Sequence, residues 1–107
     1  MAETYSMPQQ RAVAEFLAAR ELHTDPAYRL LDLAAEVGEM AADATKSSEY
    51  GDTPEQLSVP EDELGDALFA LLAVADELDI DAGAALDASL GKYENRIETT
   101  GTAGSGT

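Results

Sequence analysis

Residues 64–75, LGDALFALLAVA, contain only two positions that are not apolar, Gly65 and Asp66. No alternation of β-branched residues marks a strand here or elsewhere, so the run reads as helix and the chain as all-α. A helix that is apolar nearly all round must be covered on most sides. One chain of 107 residues supplies few faces to do it. The sequence therefore predicts that copies assemble around this helix, with dimerisation placing it near the centre. The plainer alternative is that Ala67, Ala70 and Ala73, which tolerate exposure, line a partly wet face. The stretch is too short to cross a bilayer and is broken by Asp66.

Around it the chain punctuates itself into four helices. Ser6-x-x-Gln9 reads as a capping box, with Pro8 tolerated in the first turn and the helix running to about Arg20. Asp25-Pro26 opens a second helix to about Lys46, in which Leu30, Leu33, Val37 and Met40 repeat at helical spacing. The segment 47–59 holds Gly51 and Pro54 and is a loop with room for one short turn. Ser58-x-x-Glu61 reads as a second capping box for a third helix to about Leu78, and a fourth runs from Asp79 or Asp81 to about Ile97. The expected organisation is one helical domain over 1–98 and a disordered polar tail over 99–107.

Six basic residues against 22 acidic give a net charge of −16. Such a field repels nucleic acid backbones and anionic membranes. With 45% hydrophobic residues in periodic order, the chain has what it needs to fold rather than remain an acidic coil. Acid excess with few lysines fits a protein that works in high salt, as in a halophile, where screening weakens self-repulsion. There is no cysteine, hence no disulfide or thiolate site. No basic stretch followed by an apolar one stands among the first residues, so the expected compartment is the cytoplasm.

Two acidic pairs lie in otherwise apolar helices: Glu36-x-x-Glu39 and Glu63-x-x-Asp66. Residues three apart share a helix face, so each pair sets two carboxylates side by side. Asp32, Glu36, Glu39 and Asp43 extend the first pair into one stripe, which by itself reads as the solvated face of an amphipathic helix. Asp66 is harder to explain, flanked by Leu64, Ala67, Leu68 and Phe69. It needs a cation, either an arginine (Arg11, Arg20 or Arg29) or a metal. Two antiparallel helices carrying these pairs would gather four oxygen ligands, the donor set of a hard divalent ion such as Mg²⁺.

A phosphate ligand would need positive side chains, and the chain has few. Lys92 and Arg96 share a face of the last helix, and Lys46 ends the helix of the first acidic pair. Ion pairs with neighbouring acids are the plainer reading of all three. The single histidine, His23, has no second histidine or cysteine to build a zinc site and reads as a surface residue. A di-iron bundle, a calcium loop and a glycine-rich phosphate loop lack their motifs.

The segments LAAEVGEMA at 33–41 and ELGDAL at 63–68 resemble the MazG-like family of all-α nucleoside triphosphate pyrophosphohydrolases, over roughly residues 7–96. The resemblance implies that Glu36, Glu39, Glu63 and Asp66 are catalytic Mg²⁺ ligands, with Mn²⁺ a possible substitute. It likens Lys92, Tyr93 and Arg96 to the family's basic segment, and Lys46 to the basic residue ending its first metal helix. Ala35 stands where the family often has a further glutamate, which puts water activation or a second ion in doubt. The implied fold is a four-helix bundle assembling as a dimer or tetramer. The implied reaction is hydrolysis of a nucleoside triphosphate between the α and β phosphates to the monophosphate and pyrophosphate. Phe16, Tyr28 and Tyr50 are the aromatic residues available to stack on a base. Two other functions stay open: a non-catalytic acidic helical regulatory or protein-binding module, and a phosphoribosyl-ATP pyrophosphohydrolase.

Overall fold

The computed structural model describes residues 4–104. They form four helices and no strand: α1 (Pro8–Ala19), α2 (Pro26–Ser47), α3 (Glu61–Glu77) and α4 (Ala82–Thr100). A single 3₁₀ turn, Pro54–Gln56, interrupts the loop before α3. No helix among the described residues is long and apolar enough to cross a membrane.

Local chemistry sets most of the helix starts. Pro8 and Pro26 occupy first-turn positions, where a fixed φ helps and no amide is needed. The Asp25 carboxylate accepts from the Ala27 amide at 2.8 Å, and that of Asp81 from the Ala84 amide at 3.1 Å. Neither expected capping box forms: Ser6 is drawn into a long-range bond, and Ser58 stands two residues before the observed cap of α3. Ser6 Oγ donates to Asp81 Oδ1 at 2.9 Å, and Met7 takes the cap of α1. The Ser58 amide donates to Ser47 Oγ at 2.7 Å, and Pro60 takes the cap of α3. Three acids, Glu61, Asp62 and Glu63, complement the dipole there instead.

α4 passes the expected end at Ile97 and reaches Thr100. The hydroxyls of Thr99 and Thr100 donate back to the Asn95 and Arg96 carbonyls, and Gly101, at φ 80°, closes the helix. The first two residues of the expected tail are thus helical, and 105–107 lie outside the described residues.

α1 and α2 both run antiparallel to α3. The Phe16 and Phe69 rings meet edge to face at 5.9 Å, and Gln10 lies against Ile80. On the other flank Arg29 faces Glu77 at one end and Asp43 faces Glu63 at the other. The buried core is small: Tyr5, Ala14 and Leu17 against Ala67, Ala70, Leu72, Ala73, Val74 and Ala75. Gln10 is fully buried within it, its Nε2 donating to the Ile80 carbonyl at 2.7 Å and its Oε1 accepting from the Ala82 amide at 2.8 Å. It ties α1 to the α3–α4 turn.

α4 adds no buried residue, so one chain does not close the expected four-helix bundle. The radius of gyration is 16.8 Å, against about 13 Å for a compact domain of about 100 residues. Three apolar stripes stay half-exposed as a result: Leu30 and Val37 on α2, Leu64, Leu68, Leu71 and Leu78 along α3, and Leu86, Leu90, Tyr93 and Ile97 on α4. Each follows the three-and-four spacing of a single helix face.

Candidate functional site

The acidic stripe of α2 meets α3 along their seam. Glu36 and Asp43 are half-buried there, with Glu39 and Asp32 exposed at its margin, while Val37 on the apolar stripe remains half-exposed. Antiparallel packing sets Glu36 in the field of Asp66, and Glu39 and Asp43 in that of Glu63. The two acidic pairs therefore come to the same seam.

So many carboxylates in one place hold protons more tightly. Burial, then the charge of Glu39 and a hydrogen bond with it, raise the Glu36 pKa, with Asp66 and Asp32 adding to the effect. A hydrogen bond with Asp43 is the largest cause for Glu63, followed by burial and by the charges of Asp43 and Glu39. Together they push Glu63 up to about 7. Glu36 Oε2 and Glu63 Oε2 are each buried without a hydrogen-bond partner. Unpaired buried oxygens beside further acids are donors suited to a hard cation. They stand as two halves, Glu36 with Glu39 and Glu63 with Asp43: no three of these acids bring one oxygen each within 4.8 Å of one another.

A cleft of about 390 Å³ opens beside the seam, lined by Arg29, Asp32, Glu36, Asp66, Phe69 and Ala70. Glu39 and Glu63 lie outside it, and Asp66 is exposed to it rather than enclosed. None of the three arginines considered for Asp66 pairs with it. Arg11 donates to the Tyr5 carbonyl at 2.5 Å, and Arg20 stacks on Phe16 at 4.3 Å. Arg29 donates to the Leu22 carbonyl and lies 3.5 Å from Glu77 Oε2 and 4.0 Å from Asp32 Oδ2.

Within one chain, Lys46, Lys92 and Arg96 do not line the cleft. Lys46 is exposed in the last turn of α2. Lys92 and Arg96 flank the Tyr93 ring at 5.3 and 5.9 Å on α4, and Arg96 also reaches the Ala103 carbonyl at 3.5 Å. The basic residue on the cleft is Arg29, and the aromatic one is Phe69. Of the aromatic residues expected to stack, Phe16 packs on Phe69, while Tyr28 and Tyr50 are exposed away from the cleft. Arg29 sits one turn before Asp32, so its place on the acidic stripe was open to the helical period. Phe69 lies three residues after Asp66 and was open to it in the same way.

His23 is exposed, as expected, but it is not alone. Its Nδ1 lies 3.2 Å from Glu77 Oε1 and 3.8 Å from Asp76 Oδ2, at the end of α3 remote from Glu63. No family model, curated protein or solved structure matches the chain.

Proposed function

We propose that the chain is an Mg²⁺-dependent nucleoside triphosphate pyrophosphohydrolase that works as a homo-oligomer. The observation that carries this reading is the seam between α2 and α3, where two acidic pairs meet and Glu36 Oε2 and Glu63 Oε2 lack partners. Glu36, Glu39, Glu63 and Asp66 would hold the metal. A bound Mg²⁺ neutralises phosphate oxygens and lowers the pKa of a water for attack on phosphorus.

The chain's own residues supply the rest. Phe69 and Ala70 form an apolar wall of the cleft, which keeps water from one side of a bound nucleotide. Arg29 sets one positive charge at the cleft edge, held by Glu77 and Asp32, where it offsets repulsion between a triphosphate and the acids. Further cations would come from Lys46, and from Lys92 and Arg96 on a helix that buries nothing in its own chain. Docking α4 on another copy would cover its apolar stripe and could carry Lys92 and Arg96 to a partner's cleft. The apolar groove of about 330 Å³ between Leu71, Val74 and Leu78 of α3 and Leu86 of α4 supports the same assembly.

A panel of nucleoside triphosphates and phosphoribosyl-ATP, incubated with Mg²⁺ in molar KCl, tests the reading. Release of pyrophosphate from nucleoside triphosphates, abolished in Glu39→Gln and in Asp66→Asn with helicity kept, is the expected result. Activity confined to phosphoribosyl-ATP would identify that enzyme instead. No turnover of any nucleotide would leave an acidic binding module.

A further inference from the structure

The pairing of His23 with Asp76 and Glu77 has the make-up of a second metal site, distant in character from the all-oxygen seam. His23 lies in the link between α1 and α2, and its side chain is half-exposed. Asp76 and Glu77 close the last turn of α3, with side chains only 10% and 9% exposed. One ligand atom from each of the three lies within 4.8 Å of the others. Ligands bound about 2.0–2.1 Å from a tetrahedral ion stand about 3.3 Å apart. The observed Nδ1 separations, 3.2 Å to Glu77 and 3.8 Å to Asp76, are close to that spacing.

Of the two oxygens that face His23, Asp76 Oδ2 has no hydrogen-bond partner and Glu77 Oε1 meets the imidazole Nδ1 at 3.2 Å, while their opposite numbers are engaged elsewhere. Glu77 Oε2 accepts from the Thr24 amide at 2.9 Å and lies beside Arg29, which leaves Oε1 toward the imidazole. Asp76 Oδ1 accepts from the hydroxyl of buried Tyr5 at 3.2 Å. Asp76 Oδ2 then points at His23, buried and without any hydrogen-bond partner. Outer contacts of this kind fix the orientation of metal-binding carboxylates.

We propose that His23 Nδ1, Asp76 Oδ2 and Glu77 Oε1 form a site for a borderline divalent cation of the Zn²⁺ class. The donor set of one imidazole and two carboxylates suits Zn²⁺ or Co²⁺ over Mg²⁺. The exposed side of His23 leaves a fourth position for water. The ion would fasten the α1–α2 link to the end of α3. It does not depend on the proposed hydrolysis, and its test involves no nucleotide.

The lone histidine makes the test clean. Full-length protein, freed of metal by chelation, is titrated with Zn²⁺ in 10 mM MgCl₂, so that the many exposed carboxylates are already occupied by Mg²⁺. Binding is followed by calorimetry and by the single imidazole ¹H–¹⁵N signal set. The expected result is one Zn²⁺ per chain, a shifted Nδ1 resonance and a raised Tm. His23→Gln, at an exposed position, and Asp76→Asn, which keeps the shape of the side chain, should each weaken binding at least tenfold and abolish the rise in Tm. An unmoved imidazole signal on Zn²⁺ addition overturns the proposal. So does undiminished stoichiometric binding in either variant, which would move the ion to other acids.

Discussion

Across the seam between α2 and α3, Asp43 and Glu63, twenty residues apart in sequence, set two carboxyl groups against each other. A proton shared with Asp43, then burial and the charges of Asp43 and Glu39, push the Glu63 pKa up to about 7 from its ordinary 4.5. The folded state then binds more protons than the unfolded chain between those two values. Stability from this group is fully present below about 4.5 and is lost as pH rises toward about 7. A cation at the seam would take the place of that proton. Mg²⁺ binding, measured by calorimetry in buffers of different ionisation enthalpy, should therefore release a proton near pH 6.5 and strengthen as pH rises through about 7. Binding that is flat over pH 5.5–8 would show that the Asp43–Glu63 proton is not displaced.

The placement of α4 leads to a mixing experiment. If Lys92 and Arg96 serve a partner's cleft, Lys92→Met and Glu39→Gln are each inactive alone for different reasons. Co-refolded at equal ratio, they should recover on the order of a quarter of wild-type activity, since some clefts would then combine intact halves. No recovery from a mixed oligomer, verified by native mass spectrometry, would return these cations to their own chain or to the scaffold.

Arg29→Met should act on both function and fold. It removes the basic group of the cleft and also the ion pair that neutralises nearly buried Glu77. We expect KM for the nucleotide to rise about tenfold, the order of one charge-assisted contact. Tm should fall at the same time, because Glu77 loses a partner. A lower Tm with unchanged KM would make Arg29 purely structural.

Gln10→Leu tests the α1 clamp. The leucine keeps much of the volume but strands the Ile80 carbonyl and the Ala82 amide, both bonded by Gln10. Two partly buried groups left unsatisfied should cost about 2–4 kcal/mol. Denaturant titration reads this directly, and a loss below about 1 kcal/mol would mean that water replaces the side chain.

Salt should decide how well the chain assembles. A net charge of −16 repels itself, and the half-exposed leucines of α3 and α4 need covering. Passing from molar KCl to about 10 mM, where the screening length grows to about 30 Å, should lower Tm and shift sedimentation toward the monomer. A salt-independent, well-folded monomer would refute both the assembly and the high-salt reading.

The four helices were legible in the sequence because their signals are local. Pro8, Pro26, Asp25 and Asp81 act within a turn of themselves, and each takes the expected place. The three-residue spacing of Glu36 with Glu39 and of Glu63 with Asp66 likewise fixed which acids share a face. What the sequence could not decide was which distant group each polar side chain meets. Ser6 looked like a cap and bonds to Asp81, and Gln10, which no local signal singled out, is the most enclosed polar side chain among the described residues. His23 looked solitary and faces two nearly buried carboxylates. Those partners lie 53 to 75 residues away in the chain, and only the antiparallel docking of α1 and α2 on α3 brings them within bonding distance. A hydrogen bond or ion pair depends on separation in space, whereas the helical period carries information over only a few turns.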